Sequence, residues 1–171
     1  MEIRPAEISD LPAIMQIVED ARTLIQSKHF HQWDKASDYP SKTDFVNDIE
    51  NKALYVAVKD NTVAAMMAIY DKEDENYDEI NGCWLSTSAY RTIHRLAVKH
   101  TFYGQGLAKA LIQEAIRTAK GKVLSIRIDT HPKNKPMNTL AQKLGFQYCG
   151  IIRIKKEKTE PERNAYERMI E

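Results

Sequence analysis

The residues most able to do chemistry lie in Val98-Lys99-His100-Thr101-Phe102-Tyr103-Gly104-Gln105-Gly106-Leu107-Ala108-Lys109-Ala110-Leu111. An apolar segment enters a turn punctuated by two glycines and leaves it as an amphipathic pattern. Gly104 and Gly106 carry no Cβ, so the backbone can take positive φ and approach a bulky anion, while the N–H groups of a following helix's first turn point at it. The chemistry is anion binding, with phosphate or pyrophosphate as the natural guest. Two glycines two residues apart also make an ordinary turn, and from this stretch alone both readings stand. Two other phosphate motifs are excluded, because position 109 is lysine where G-x-G-x-x-G needs glycine and no G-x-x-x-x-G-K-[ST] run occurs. A metal centre is not indicated: His29 and His31 are two apart, with no carboxylate or cysteine placed to complete a site.

Such a turn needs a strand before it and a helix after it, and the flanking pattern supplies both. Thr92 to Val98 reads as the strand, and Leu107, Ala108, Leu111, Ile112, Ala115, Ile116 and Ala119 share one face of a helix that begins near Gly104 and ends at Gly121. Val123 to Thr130 follows as a strand, making a right-handed βαβ unit with parallel strands. Upstream, Ile3 to Pro5 is a short strand. Ser9 is expected to cap a helix carrying Leu11, Ile14, Ile17, Val18, Ala21, Leu24 and Ile25 at three- and four-residue steps, with Pro12 tolerated in its first turn. Ser41 caps a shorter helix through Phe45, Val46 and Ile49. Leu54 to Val58, the Asp60-Asn61 turn and Val63 to Tyr70 form a hairpin. Asp71 to Tyr90 reads as irregular, with the six carboxylates between Asp71 and Glu79 on a solvated loop. Asn134 to Leu144 is a helix stopped by Gly145, and Phe146 to Ile154 and Asn164 to Ile170 close as an antiparallel pair. The order β-α-α-β-β-β-α-β-α-β-β describes one α/β domain over residues 1–171, without repeat or linker.

Composition narrows the function classes. At 171 residues the chain can bury a full core without a staple, and Cys83 and Cys149, far apart and without C-x-x-C spacing, read as reduced. No charged-then-apolar leader follows Met1, and no apolar run approaches the ~18 residues of a membrane span. The expectation is a cytoplasmic, unprocessed protein with no membrane partner. A net charge of +1 gives no electrostatic case for nucleic acid, and the basic run Arg153 to Lys158 reads as a solvated hairpin tip.

Val98, Gly104, Gly106 and Ala108 resemble the signature V-x-P-x-x-[RQ]-G-x-G-x-[GA] of the GNAT superfamily of acetyl-CoA-dependent N-acetyltransferases. His100 stands where that pattern has proline, and Tyr103 where it has arginine or glutamine. Asn134 followed by Leu140-Ala141-Gln142-Lys143-Leu144-Gly145-Phe146 is similar to the family's N-(x5)-L-Y-x-K-x-G-F block. The element order is also that of the family, so the resemblance covers nearly the whole chain. It implies a mixed, mostly antiparallel sheet with a splayed parallel pair at its centre and helices on both faces.

The resemblance further implies acetyl-CoA as co-substrate and no metal. Backbone amides of Tyr103, Gly104, Gln105, Gly106, Leu107, Ala108 and Lys109 would hold the pyrophosphate at the positive end of the helix dipole. Lys109 reads equally as a phosphate contact or an exposed first-turn lysine. The pantetheine arm would pair with Leu96, Ala97 and Val98 between the two parallel strands, with Asn134 bonding it or its neighbourhood. An N–H near Leu96 or Ala97 would steady the oxyanion as an amine attacks the thioester.

The amine must shed a proton, since its reference pKa lies near 10.4. His94 is the first candidate base, placed by strand alternation on the face of Leu96; its other reading is a hydrogen-bonded strand histidine orienting a neighbour. His131, at the C-terminal end of the second parallel strand, is the second, and equally reads as part of the approach to the next helix. Trp33, Tyr39 and Trp84 are the acceptor-side candidates, with local packing as the competing reading. Ala141 occupies the place of the family's tyrosine, often assigned as general acid, leaving water, Tyr148 or Tyr90 to protonate the thiolate. The resulting expectation is acetyl transfer to a primary amine of a small molecule by direct attack in a ternary complex. A non-catalytic acyl-CoA sensor or scaffold and a protein or peptide N-terminal acetyltransferase are the alternatives. No surface singles out an interface, and a homodimer stays open.

Overall fold

The computed structural model describes residues 1–171, which form eight strands and four α-helices. The strands are β1 (Glu2–Pro5), β2 (Leu54–Lys59), β3 (Thr62–Tyr70), β4 (Asn81–Gly82), β5 (Tyr90–Val98), β6 (Ser125–Thr130), β7 (Gln147–Arg153) and β8 (Glu162–Met169). The helices are α1 (Leu11–Ser27), α2 (Lys42–Glu50), α3 (Leu107–Ala119) and α4 (Lys135–Lys143). The strand order is β1-β2-β3-β5-β6-β8-β7-β4. The β5–β6 pair at its centre is parallel, with Tyr90 to Ile93 registered on Ser125 to Ile128, and the sheet is otherwise mostly antiparallel. This is the expected mixed sheet.

Two compact units divide the chain, Met1–Ile69 with His94–Glu114, and Tyr70–Ile93 with Ala115–Glu171. In the first unit, Asp60 and Asn61 take φ of 51° and 55°, the left-handed pair that a two-residue hairpin turn requires, and join β2 to β3. Ile14, Ile17 and Val18 of α1, Phe45 of α2, Leu54 and Val56 of β2, Met66 and Met67 of β3, and Leu107 and Leu111 of α3 are buried. Side chains of this size each contribute about 1.5–3 kcal/mol on burial.

The entry to α1 departs from the sequence expectation. Ser9 does not cap it. Residues Ile8–Asp10 form a 3-10 turn, closed by the Glu7 N–H donating to the Asp10 carboxylate at 2.8 Å, and that carboxylate is held in turn by Arg4. The C-terminal part of α1 also differs, because Leu24 is exposed while Arg22 is buried. Its guanidinium donates to the carbonyl of Trp33 at 2.9 Å and reaches those of Tyr39 and Pro40, fastening the segment that links α1 to α2. Ser41 does cap α2: its hydroxyl accepts from Asp44 N–H, and the Asp44 carboxylate accepts from Ser41 N–H.

In the second unit, residues 71–90 are not merely a solvated loop. They contain a 3-10 turn at Glu75–Tyr77, capped by Asp74, and the short strand β4, which pairs with β7. Tyr77 is buried with Ile152 and Ala165, and Ile80, Trp84, Tyr90 and Ile154 pack against this group. Asp71 forms a bidentate pair with the buried Arg91, whose guanidinium holds its carboxyl below the usual carboxylate range. The hydrophobic partners are long-range in sequence, so local polarity hid them. The β4 register also brings the two cysteines together, Cys83 N–H donating to Cys149 C=O at 2.9 Å; both thiols are free.

Candidate functional site

The glycine turn lies in the first unit. A 3-10 turn at His100–Phe102 closes with Tyr103 N–H donating to His100 C=O, and Gln105 N–H reaches Phe102 C=O at 3.4 Å. Gly104 and Gly106 follow with φ of 76° and 78°, as the anion-seat reading requires. A Cβ built on either meets no atom within 4 Å, so nothing in the protein fills the space in front of them. The first bond of α3 is donated by Ala110 to Gly106 C=O at 3.0 Å, which leaves the amides of Leu107, Ala108 and Lys109 without an intrahelical acceptor. Of the seven amides expected to face an anion, those of Tyr103 and Gln105 are committed to the turn. The others fit a pyrophosphate: an open cradle over two glycines at a helix N-terminus supplies short, directed donors and favourable dipole.

Charges gather there that sequence alone could not place. Lys59, at the end of β2, donates to the Gln105 side-chain carbonyl at 2.5 Å, putting an ammonium beside the turn. His100, in the place of the family's proline, donates its backbone N–H and ring Nδ1–H to one carboxylate oxygen of Asp20 on α1, at 3.0 and 2.9 Å. Burial pushes the Asp20 carboxyl up, but the bonds from His100 and Gln16 outweigh it and hold it below the ordinary carboxylate range. Burial and Asp20 raise the Tyr103 hydroxyl, which therefore stays protonated. Lys109 is exposed on the first turn of α3.

β5 carries the other first-unit candidates. Leu96 and Val98 are half-buried and Ala97 is buried. His94 is half-buried too, but Arg95 has φ of 54°, a left-handed residue inside a strand. Alternation does not survive such a residue, so the two-residue spacing that put His94 and Leu96 on one face is not a valid guide across it. Tyr39 lies with its ring 5.3 Å from the Arg95 guanidinium, and Trp33 takes φ of 60° and gives its carbonyl to Arg22.

The second unit holds the remaining candidates. His131 is buried, with Nδ1 accepting from Lys133 N–H at 3.1 Å and Nε2 3.2 Å from Glu160. These bonds define the Nε2–H tautomer and tie up both ring nitrogens. Burial, followed by Arg163, lowers its pKa below the ordinary histidine value. Asn134 caps α4, its side-chain oxygen accepting from Met137 N–H. Asn138 braces the same turn, donating to the carbonyls of His131 and Asn134 while its own oxygen accepts from Tyr166 and Asn164.

The Arg127 guanidinium lies against the rings of Trp84 and Tyr90, at 4.2 and 3.8 Å, and the Trp84 indole donates to Tyr77 C=O. Ala141 is fully buried at the end of α4. Of the two hydroxyls considered in place of its missing phenol, Tyr90 accepts from Asp74 N–H and Tyr148 is exposed.

The mixed sheet and its strand order agree with the comparisons to known proteins. The Acetyltransferase (GNAT) family model matches residues 18–146, and the chain belongs to this family of acyltransferases. Streptothricin acetyltransferase from Escherichia coli is 30% identical over 113 residues, which span 66% of this chain and 59% of that protein. A GNAT-family acetyltransferase from Streptococcus agalactiae 2603 superposes with a TM-score of 0.90 at 35% identity, covering 99% of this chain and 95% of that one. The fold is also shared, at 18% identity and a TM-score of 0.73, with PaiA N-acetyltransferase from Thermoplasma acidophilum in complex with coenzyme A; 98% of each chain is covered. No helix is long and apolar enough to cross a membrane.

Proposed function

We propose that this protein transfers an acetyl group from acetyl-CoA to a primary amine of a small molecule, by direct attack within a ternary complex. The observation that carries the reading is the open cradle over Gly104 and Gly106 at the start of α3. Amides of Gly104 and Gly106 to Lys109 bind the pyrophosphate, and Lys59 adds its charge nearby. Bound acetyl-CoA supplies the thioester carbonyl as the electrophile. Leu96, Ala97 and Val98 align the pantetheine arm, and an N–H near Leu96 or Ala97 meets the developing oxyanion. His94 takes the amine proton, directly or through water, because the two ring nitrogens of His131 already hold the turn before α4. Asn134 holds the same turn by capping α4. With a buried alanine at 141, the departing thiolate, of pKa near 8.5, takes its proton from water or an exposed hydroxyl such as Tyr148. Trp33 and Tyr39 face the acceptor side, whereas Trp84 serves Arg127. The reading takes the protein as cytoplasmic.

The name of the E. coli relative supports a small-molecule acceptor over a peptide. A panel of amines including streptothricin, polyamines and N-terminal peptides, assayed by release of CoA thiol, tests the proposal. Thiol release with a small amine and none with peptides is expected. Raised melting temperature with acetyl-CoA, but no thiol release from any amine, would turn the reading to a non-catalytic sensor. Acetylated protein formed from acetyl-CoA alone would overturn direct attack.

A further inference from the structure

Arg95 stands inside β5 with φ of 54°, a left-handed conformation that a long side chain rarely adopts in a strand. Residues in such regions persist where their surroundings over-determine them. Here the surroundings are identifiable. The guanidinium donates from Nη1 to the Asp48 carboxylate, and Nη2 lies 3.9 Å from Asp44. The rings of Tyr39 and Phe45 lie 5.3 and 5.9 Å from its central carbon. Asp48 is buried, Phe45 is inaccessible, and α2, which presents Asp44, Phe45 and Asp48, is fixed by the reciprocal Ser41–Asp44 cap. The side chain is thus tied to a rigid helix while its backbone makes the irregular step between His94 and Leu96.

From this we infer that Arg95 is a positioning residue for acetyl transfer: its anchor on Asp48 holds the kink that aims the His94 side chain and the Leu96 backbone, and its ring contact fastens Tyr39 beside them. The inference rests on the proposed reaction for its kinetic consequence, but not for its structural one. A guanidinium suits the task because it is planar, always charged, and can face an aromatic ring while bonding a carboxylate. Lysine offers a point charge without the fork.

The experiment compares Arg95→Ala, Arg95→Gly, Arg95→Lys and Asp48→Asn in the full-length protein. Arg95→Gly removes the anchor yet accepts positive φ freely, so it separates the kink from the tether. Arg95→Ala and Asp48→Asn are expected to lower kcat by about 10²-fold through misplaced reacting groups. Their Kd for acetyl-CoA should rise far less than kcat falls, by under about tenfold, since the Gly104–Gly106 turn is untouched and only the pantetheine contact at Leu96 is disturbed. Arg95→Gly and Arg95→Lys should recover part of kcat. Amide hydrogen exchange across 94–98 should quicken by about tenfold or more in Arg95→Ala and Asp48→Asn, and less in Arg95→Lys.

Should Arg95→Ala not fold, Asp48→Asn and Arg95→Lys carry the same comparison. A kcat within twofold of wild type in Arg95→Ala and Asp48→Asn, or unchanged exchange at 94–98, overturns the inference. Wild-type protein that acetylates no amine overturns the proposed reaction instead, and the exchange measurement still decides whether Arg95 holds the kink.

Discussion

Replacing Gly106 with alanine separates what the glycine does for the fold from what it does for a ligand. At φ of 78° an alanine pays for its Cβ through local backbone sterics alone, because that Cβ meets no atom within 4 Å. The left-handed conformation costs a non-glycine residue about 1–2 kcal/mol. For a chain of 171 residues this lowers Tm by about 2–8 °C. Gly121 is the control, with φ of 74° and equally open space at its Cβ position, but at the end of α3. Gly121→Ala should lose the same stability.

Binding is where the two variants part. On the proposed reading, a Cβ at 106 would stand in the cradle and keep a pyrophosphate from the amides around it. Hydrogen bonds to a charged group are worth about 1.5–3 kcal/mol each, so losing two costs about 3–6 kcal/mol, or about 10²–10⁴-fold in Kd. Calorimetric titration with acetyl-CoA reads this directly. In a thermal shift at a ligand concentration near 100 times the wild-type Kd, wild type gains about 2.7 kcal/mol and Gly106→Ala less than about 0.5. Gly106→Val should abolish binding. Equal affinities for Gly106→Ala and Gly121→Ala would refute the assignment and put the pyrophosphate elsewhere.

Three further expectations follow from the site and its supports. His94→Ala should reduce kcat by about 10²-fold, read by thiol release at saturating amine; a kcat within twofold of wild type would exclude it as the base. His131 has a folded pKa below its unfolded value, so the unfolded chain binds more protons between the two. Its contribution to stability is complete above about pH 6.5 and is lost as pH falls from there through the lowered folded value, and thermal melts of wild type against His131→Asn should show a shallower acid-side decline in the variant. Glu167 is buried beneath Arg127, Ser125 and the Leu85 N–H, so Glu167→Ala leaves the Arg127 charge uncompensated and should cost about 3–5 kcal/mol in urea unfolding, a loss under 1 kcal/mol contradicting this account.

The chemistry-bearing turn was legible because its information is local. Positive φ at Gly104 and Gly106, the Asp60-Asn61 hairpin and the Ser41 cap each depend on residues within four positions of one another. The βαβ order followed from periodicity, which reports burial on one face of an element. Errors arose where a distant partner overrode local preference. Asp10 with Arg4 displaced Ser9 at the entry to α1, and the core around Ile152 and Ala165 drew Tyr77 and Trp84 into structure within a stretch whose carboxylates read as solvated.

By itself, then, the sequence determined the order of the helices and of every strand but β4, the family resemblance and the positive-φ glycine turn, all legible in local residue pattern and hydrophobic period. Only the tertiary structure decided which polar groups the reacting elements meet. It set Lys59 beside Gln105 and Asp20 beneath His100, occupied both nitrogens of His131, and bent β5 at Arg95 against Asp48. Apart from Lys133, which neighbours His131, these partners lie far apart along the chain, and a charge or a strained φ finds such a counterpart only through the packing of whole helices and strands.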